Sequence, residues 1–240
     1  MKTCLITGAS RGIGRELAVI LAGKGEYGRL IVNCRQNAEE LEKTRLLALE
    51  AGCPEVIAAV GDAGDHAFVK SLREKYGPVD TLVNNAGAAY FGLLTDMTPE
   101  DWEGIIRTDL TSVFNTCSVF APDMVSAKEG RILNISSVWG LVGASCEVAY
   151  SAAKGAVNAF TKALAKELGP SNVRVNAIAF GIVDTDMNSR LSEEEKASLA
   201  DEVPMGRMAK AHEAALAAAK LLEMPPYFTG EVVKVDGGWQ

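Results

Sequence analysis

The chain has 240 residues, 48% of them hydrophobic, enough to bury a large core without requiring a second domain. Its net charge of -7 excludes a dominant polyanion-binding surface, so nucleic acid is not an expected partner. No apolar run approaches the ~18 residues of a membrane span, and the opening Met1–Ile6 turns polar at Thr7, too soon for a signal peptide. The expectation is a cytoplasmic protein without membrane contact. Cys4, Cys34, Cys53, Cys117 and Cys146 show no C-x-x-C spacing, and the histidines are His66 and His212. Neither a disulfide framework nor a metal site is expected.

In chain order, short β-branched or apolar runs at Cys4–Thr7, Leu30–Cys34, Val56–Val60, Thr81–Asn84, Arg131–Ile135, Val173–Ala179 and Glu231–Val235 read as seven strands. Between them, apolar residues at three- and four-residue spacing mark helices over about 13–24, 38–51, 65–76, 100–127, 150–168 and 209–222. Thr98-Pro99-Glu100 carries a helix start and Gly169-Pro170 a helix stop. The alternation implies an α/β fold, a doubly wound sheet of seven parallel strands with helices on both faces. No repeat or linker marks a boundary, so residues 1–240 are expected to form one domain. Ligands of such a sheet sit at the carboxyl ends of the strands. The segment 182–208, whose Ser192–Lys196 run reads as a short exposed helix, is expected to cover them as a lid.

Three segments carry chemistry. Thr7-Gly8-Ala9-Ser10-Arg11-Gly12-Ile13-Gly14 follows the first strand and opens a helix. Glycines there let the backbone approach a pyrophosphate, which the helix N-terminus attracts. The spacing is G-x-x-x-G-x-G, so an ordinary tight turn remains open as a reading. Gly8-Ala9-Ser10-Arg11-Gly12 also matches G-x-S-x-G, the nucleophile elbow of a serine hydrolase, which would need His66 or His212 as base. Tyr150 and Lys154 stand four residues apart on one helix face, where an ammonium lowers the pKa of a phenol and suits it for proton transfer. Asn134-Ile135-Ser136-Ser137 ends a strand and brings a hydroxyl to the same edge, and Asn84-Asn85-Ala86-Gly87 ends another.

These segments in this order, with Val235-Asp236-Gly237-Gly238 near the end, resemble the short-chain dehydrogenase/reductase family over essentially the whole chain. The resemblance implies a Rossmann-type fold and an NAD(P)-dependent oxidoreductase acting on a carbonyl or alcohol. By it, Ser137 orients the carbonyl, Tyr150 is the acid/base, and Lys154 lowers the Tyr150 pKa and holds the nicotinamide ribose. Gly8, Ser10, Arg11, Gly12, Ile13, Gly14, Asn85, Ala86, Gly87, Ile182, Val183 and Thr185 line the cofactor cleft, and Asp62 meets the adenine amino group. The second strand ends in Asn33-Cys34-Arg35 with no carboxylate for a ribose 2′-hydroxyl, while Arg35 and Arg11 suit a 2′-phosphate. NADP(H) is therefore preferred, with NAD(H) as the alternative.

Two positions depart from the family. Asp109 stands where an active-site Asn is usual, and Phe180 precedes Gly181 where Pro is usual. A non-catalytic, cofactor-binding regulator is the reading these departures keep open. Asp109-Leu110-Thr111-Ser112-Val113-Phe114 and Gly181–Met187 resemble bacterial β-ketoacyl-acyl carrier protein reductases, which implies a 3-oxoacyl thioester substrate, fatty-acid synthesis and docking of acyl carrier protein. Lys128 and Arg131 suit that docking, but Ser171 stands where a cation is often found. The run Ser137–Val148 resembles a subgroup of reductases acting on a 5-aminopentanone modification of elongation factor P. In that run Trp139 and Glu147 are candidate substrate contacts, Glu147 for an ammonium group. A hydroxysteroid or other small ketone is also compatible. The family implies a homotetramer.

Overall fold

The computed structural model describes residues 1–188 and 192–240. In chain order the elements are β1 (Lys2–Ile6), α1 (Gly12–Gly23), β2 (Tyr27–Cys34), α2 (Ala38–Glu50), β3 (Glu55–Val60), α3 (His66–Tyr76), β4 (Thr81–Asn84), α4 (Pro99–Ile106) and α5 (Ser112–Ala127). They continue through β5 (Gly130–Ser137), α6 (Trp139–Val142), α7 (Val148–Leu168), β6 (Val173–Phe180), β7 (Val183–Asp184), α8 (Glu193–Glu202), β8 (Ala209–Lys210), α9 (Ala211–Leu222) and β9 (Val232–Val235). Seven strands pair in parallel in the order β3-β2-β1-β4-β5-β6-β9, as the alternating pattern implies. This is a Rossmann-type α/β fold.

The central strands are covered on both faces, so alternate residues feed two cores. Val83 and Leu133 join Leu17, Ala18, Leu21, Ala214 and Ala218 on the side of α1 and α9. Leu82 and Ile132 join Val69, Leu72, Val113, Phe120, Val157 and Leu168 on the side of α3, α5 and α7. The small Ala214, Ala215, Ala218 and Ala219 are buried where α9 packs on α1. Thr98 and Asp101 form a capping box on α4, and Asp65 caps α3 through the Ala67 and Phe68 N–H groups.

A buried polar chain crosses the sheet. Thr116 donates to Asn84 (2.6 Å), Asn84 to Asn134 (2.9 Å), and Asn134 to Thr161 (2.8 Å), with Asn84 and Asn134 in register. It joins α5, β4, β5 and α7 just below the carboxyl edge, where an unpaired amide would cost about 1–3 kcal/mol.

Three features differ from the sequence expectation. The single helix over 100–127 is two helices joined by a π-turn at Arg107–Thr111. Such an insertion leaves the apolar spacing almost unchanged and so is invisible to periodicity. The four-residue α6 and the two-stranded pair β7–β8 are too short to leave a pattern. Among the described residues no helix is long and apolar enough to cross a membrane, and no group of three His, Cys, Asp or Glu could hold a metal ion. All five cysteines are free; Cys4, Cys34, Cys53 and Cys117 are buried, and burial pushes the Cys117 thiol up to about 12.

The seat of α6 on α7 depends on one glycine. A Cβ on Gly140 would lie 2.6 Å from the Lys154 carbonyl carbon, so no side chain fits without moving α7. Gly140→Ala is expected to destabilise the protein by about 1–3 kcal/mol through overpacking, read as a lower urea midpoint at unchanged m-value.

Candidate active site

The chain order reverses between β1 and β4, opening a crevice at their carboxyl ends. A continuous cleft of about 1210 Å³ runs along this edge, from Arg35 and Asp62 at one end to Trp139 and Trp239 at the other. Gly8, Ser10, Arg11, Gly12, Ile13, Asn85, Ala86, Gly87, Ser137, Glu147, Tyr150, Lys154, Ile182, Val183 and Thr185 all line it.

At the β1–α1 turn, Gly8 adopts φ +64, and a Cβ there would lie 2.7 Å from the Ala86 Cα. A Cβ on Gly14 would collide with the Gly8 carbonyl oxygen and the Asn85 amide. No side chain caps α1, and its first turn carries no acidic residue. Its leading N–H groups thus face the cleft without an internal anion, an arrangement that accepts phosphate oxygens. Asn85 clamps the turn, donating to the Thr7 (3.0 Å) and Gly8 (2.9 Å) carbonyls, while Asn85 and Ala86 N–H groups donate to Thr7 Oγ1. Gly14 is a packing residue behind the turn.

At the far end Arg35 is exposed beside the cleft, and Asn33 is buried with its amide donating to the Ala59 and Gly61 carbonyls. Arg11 lies 3.6 Å from Asp186, both well exposed, an ion pair that water largely screens. Asp62 accepts from Arg107 Nε (2.9 Å) and from the Gly64 N–H (2.7 Å).

The reacting end is built from four elements. Ser137 is the last residue of β5 and accepts the Trp139 N–H at 3.1 Å. Tyr150 lies in the first turn of α7 and Lys154 one turn on. The Lys154 Nζ donates to the Ile135 carbonyl (3.1 Å), sits 5.5 Å from the centre of the Tyr150 ring and lies 3.0 Å from Asp109 Oδ1. Asp109, fully buried, comes from the π-turn, and its Oδ2 accepts the Ala88 N–H at 2.9 Å. A Cβ on Gly87 would lie 3.0 Å from Asp109 Oδ1 and 3.5 Å from Lys154 Nζ, so the β4 end must be bare.

Burial opposes the Lys154 charge, but the Asp109 carboxylate and the Tyr150 phenol outweigh it and hold the ammonium above its ordinary range. Burial likewise pushes the Asp109 carboxyl above the usual carboxylate range, against the pull of Lys154 and the Ala88 N–H. The expectation that Lys154 brings Tyr150 toward neutrality is corrected here. Burial raises the phenol first; Lys154 and Ser137 pull it down, Asp109 and Glu147 push it up, and the balance stays above the ordinary value. The ammonium is present, but its field is shared with a carboxylate that the family pattern does not contain.

The hydrolase alternative fails on geometry. His66 opens α3 and is exposed, His212 pairs with Glu16 at 3.0 Å on α9, and neither lines the cleft, so Ser10 has no base. Phe180 is buried at the end of β6 within the core on the α1–α9 side and also lines the cleft. Trp239 and Glu202 line the cleft and escaped the sequence reading, because a Trp after two glycines and a Glu on a polar helix carry no periodic signal.

Residues 2–196 match the family model described as short chain dehydrogenase. The chain belongs to the short-chain dehydrogenase family. It is an oxidoreductase, and the family binds NAD(P). It is 42% identical over 239 residues to an oxidoreductase of Bacillus subtilis (strain 168) named YmfI and described as uncharacterized, covering 99% of this chain and 98% of that protein. It is 37% identical over 239 residues to the 3-oxoacyl-[acyl-carrier-protein] reductase FabG of Escherichia coli (strain K12), covering 99% and 96%. Among solved structures, a 3-oxoacyl-[acyl-carrier protein] reductase from Brucella melitensis superposes with a TM-score of 0.91 at 32% identity, covering all of this chain and 91% of that one. Another from Brucella melitensis, with bound NAD, gives 0.90 at 31% identity over the same shares.

Lys154→Met leaves Asp109 buried without its cation and is expected to cost about 3–5 kcal/mol of stability near neutral pH. The folded-state pKa of Asp109 is raised, so protonation favours the folded state at low pH and that benefit is lost as pH rises through the folded pKa. The penalty should therefore shrink as pH falls in urea titrations, whereas a constant penalty would show that Asp109 carries no charge.

Proposed function

We propose that the chain reduces a ketone to an alcohol with NADPH, and that the ketone is a 3-oxoacyl thioester. The observation that carries the reading is the convergence of Ser137, Tyr150 and Lys154 on one cleft that also holds the bare glycine turn. That turn fits a dinucleotide: Gly8, Ser10, Gly12 and Ile13 would hold the pyrophosphate, and Asp62 the adenine. Asn85, Ala86, Gly87, Ile182, Val183 and Thr185 would line the nicotinamide half. When bound, the cofactor supplies the hydride. The Ser137 hydroxyl and the Tyr150 phenol hydrogen-bond the carbonyl oxygen, and Tyr150 delivers its proton as negative charge develops there. Lys154, anchored by Ile135 and Asp109, supplies the positive field beneath the phenol.

NADPH is favoured over NADH because β2 ends without a carboxylate and the Asn33 side chain is already spent on β3. Arg35 and Arg11 remain for a 2′-phosphate. The reductases among the relatives support the thioester substrate. A second reading, a 5-aminopentanone on elongation factor P, is favoured by Glu147 on the cleft wall near Tyr150, with Glu202 at the same end. The complete Ser137, Tyr150 and Lys154 set argues against a non-catalytic regulator. We also read residues 1–240 as one cytoplasmic domain, the segment 182–208 as a lid, of which 189–191 lie outside the described residues, and the assembly as a homotetramer built through the two long helices and the last strand.

NADPH oxidation with acetoacetyl-CoA tests the reaction. Tyr150→Phe is expected to lower kcat about 10²–10⁴-fold with NADPH affinity retained, and an unimpaired variant would remove Tyr150 as the proton donor. Arg35→Ala should weaken NADPH about tenfold or more and leave NADH unchanged, the cost of one charge-assisted bond. Asp109→Asn removes an anion that raises the Tyr150 pKa. Reduction needs the protonated phenol, so the alkaline fall in kcat/KM should move to lower pH in that variant.

A further inference from the structure

Beyond the proton-transfer set, the reacting end of the cleft has an aromatic wall of two indoles from separate segments, one of them held by a carboxylate from a third. Trp139 opens α6 and donates its N–H to the Ser137 hydroxyl, which couples the indole's base to the residue that meets the carbonyl. The Trp239 ring centre lies 4.8 Å from that of Trp139, with the planes at 59°. Its Nε1 donates to Glu202 at 3.3 Å, at the last turn of α8. The chain is bent to bring Trp239 there. Gly237 and Gly238 take φ +68 and +86, and the Asp236 carboxylate accepts the Gly238 (3.0 Å) and Gln240 (2.9 Å) N–H groups. A Cβ on Gly237 would lie 2.8 Å from Val203 Cγ1, so the turn packs closely on the residue that follows α8.

Resting on the reductase reading above, we infer that Trp239 is a specificity-determining residue that admits a ketone with a slender substituent and rejects a bulky one. Its ring packs against that of Trp139, and Trp139 is fixed two residues beyond the hydroxyl that orients the carbonyl. The substituent lying toward this wall therefore meets two indoles held from positions a hundred residues apart in the chain. Removing the Trp239 indole widens the wall and leaves Ser137, Tyr150, Lys154 and the glycine turn where they are. A hydrophobic wall of this kind discriminates by about 10–200-fold per group excluded.

The test uses two keto esters with the same ester arm, ethyl acetoacetate and ethyl benzoylacetate, which place a methyl or a phenyl on the reacting carbon. Initial rates with NADPH are measured for the parent protein, Trp239→Ala, Trp239→Phe and Glu202→Gln, together with the Kd for NADPH. The parent should prefer the methyl ketone. Trp239→Ala should raise the phenyl-to-methyl ratio of kcat/KM about tenfold or more at unchanged NADPH affinity, with Trp239→Phe and Glu202→Gln in between. An unchanged ratio in a Trp239→Phe variant that still binds NADPH, together with an unchanged ratio in Trp239→Ala, would overturn the inference while leaving the reductase reading intact. Absence of turnover of both esters and of acetoacetyl-CoA by the parent would overturn both.

Discussion

A buried ammonium organises the reacting edge. The Lys154 charge could not be held away from water without partners, and each partner fixes a different element: Ile135 the end of β5, Asp109 the π-turn, Tyr150 the start of its own helix. Asp109 in turn holds the β4 loop through the Ala88 N–H, and the space it occupies is why residue 87 carries no side chain. The π-turn between α4 and α5 is thus the local distortion that brings a carboxylate to this charge.

The two ends of the cleft are chemically unlike. Arg11 and Arg35 give one end a cationic rim suited to phosphate, while Glu147, Glu202 and the two indoles make the other acidic and aromatic. From that rim toward the other end runs the turn shaped by glycines and clamped by Asn85, whose one charged residue is Arg11. A rigid parallel sheet supplies fixed strand ends, and the loops beyond them decide what is bound, the usual division in folds of this kind.

Much of this was legible in the residues. Seven strands as short, almost continuously buried apolar runs, the glycine turn after β1, and Tyr150 and Lys154 on one face of α7 follow from local spacing, which the fold preserves. What escaped depends on contacts distant in sequence. The π-turn keeps the apolar rhythm of an ordinary helix, so Asp109 could be placed by position but not by its embrace of Lys154. The sign of the Tyr150 shift depends on burial and on the Asp109 carboxylate, which the π-turn brings from forty-one residues away. Trp239 meets Trp139 across a hundred residues, and no local pattern announces that meeting.

The sulfur inventory has a practical side. Four thiols lie inside the sheet and its helices, covered and held in the protonated form that neither alkylating reagents nor peroxides attack readily. Cys146 alone reaches the surface in part, in a left-handed backbone position four residues ahead of Tyr150, with its carbonyl accepting the Gly92 N–H. A maleimide dye or nitroxide would therefore attach at one place on the unaltered chain. That place is the loop between α6 and the reacting helix, hydrogen-bonded to the segment after β4, so nature has left a spectroscopic handle beside the chemistry.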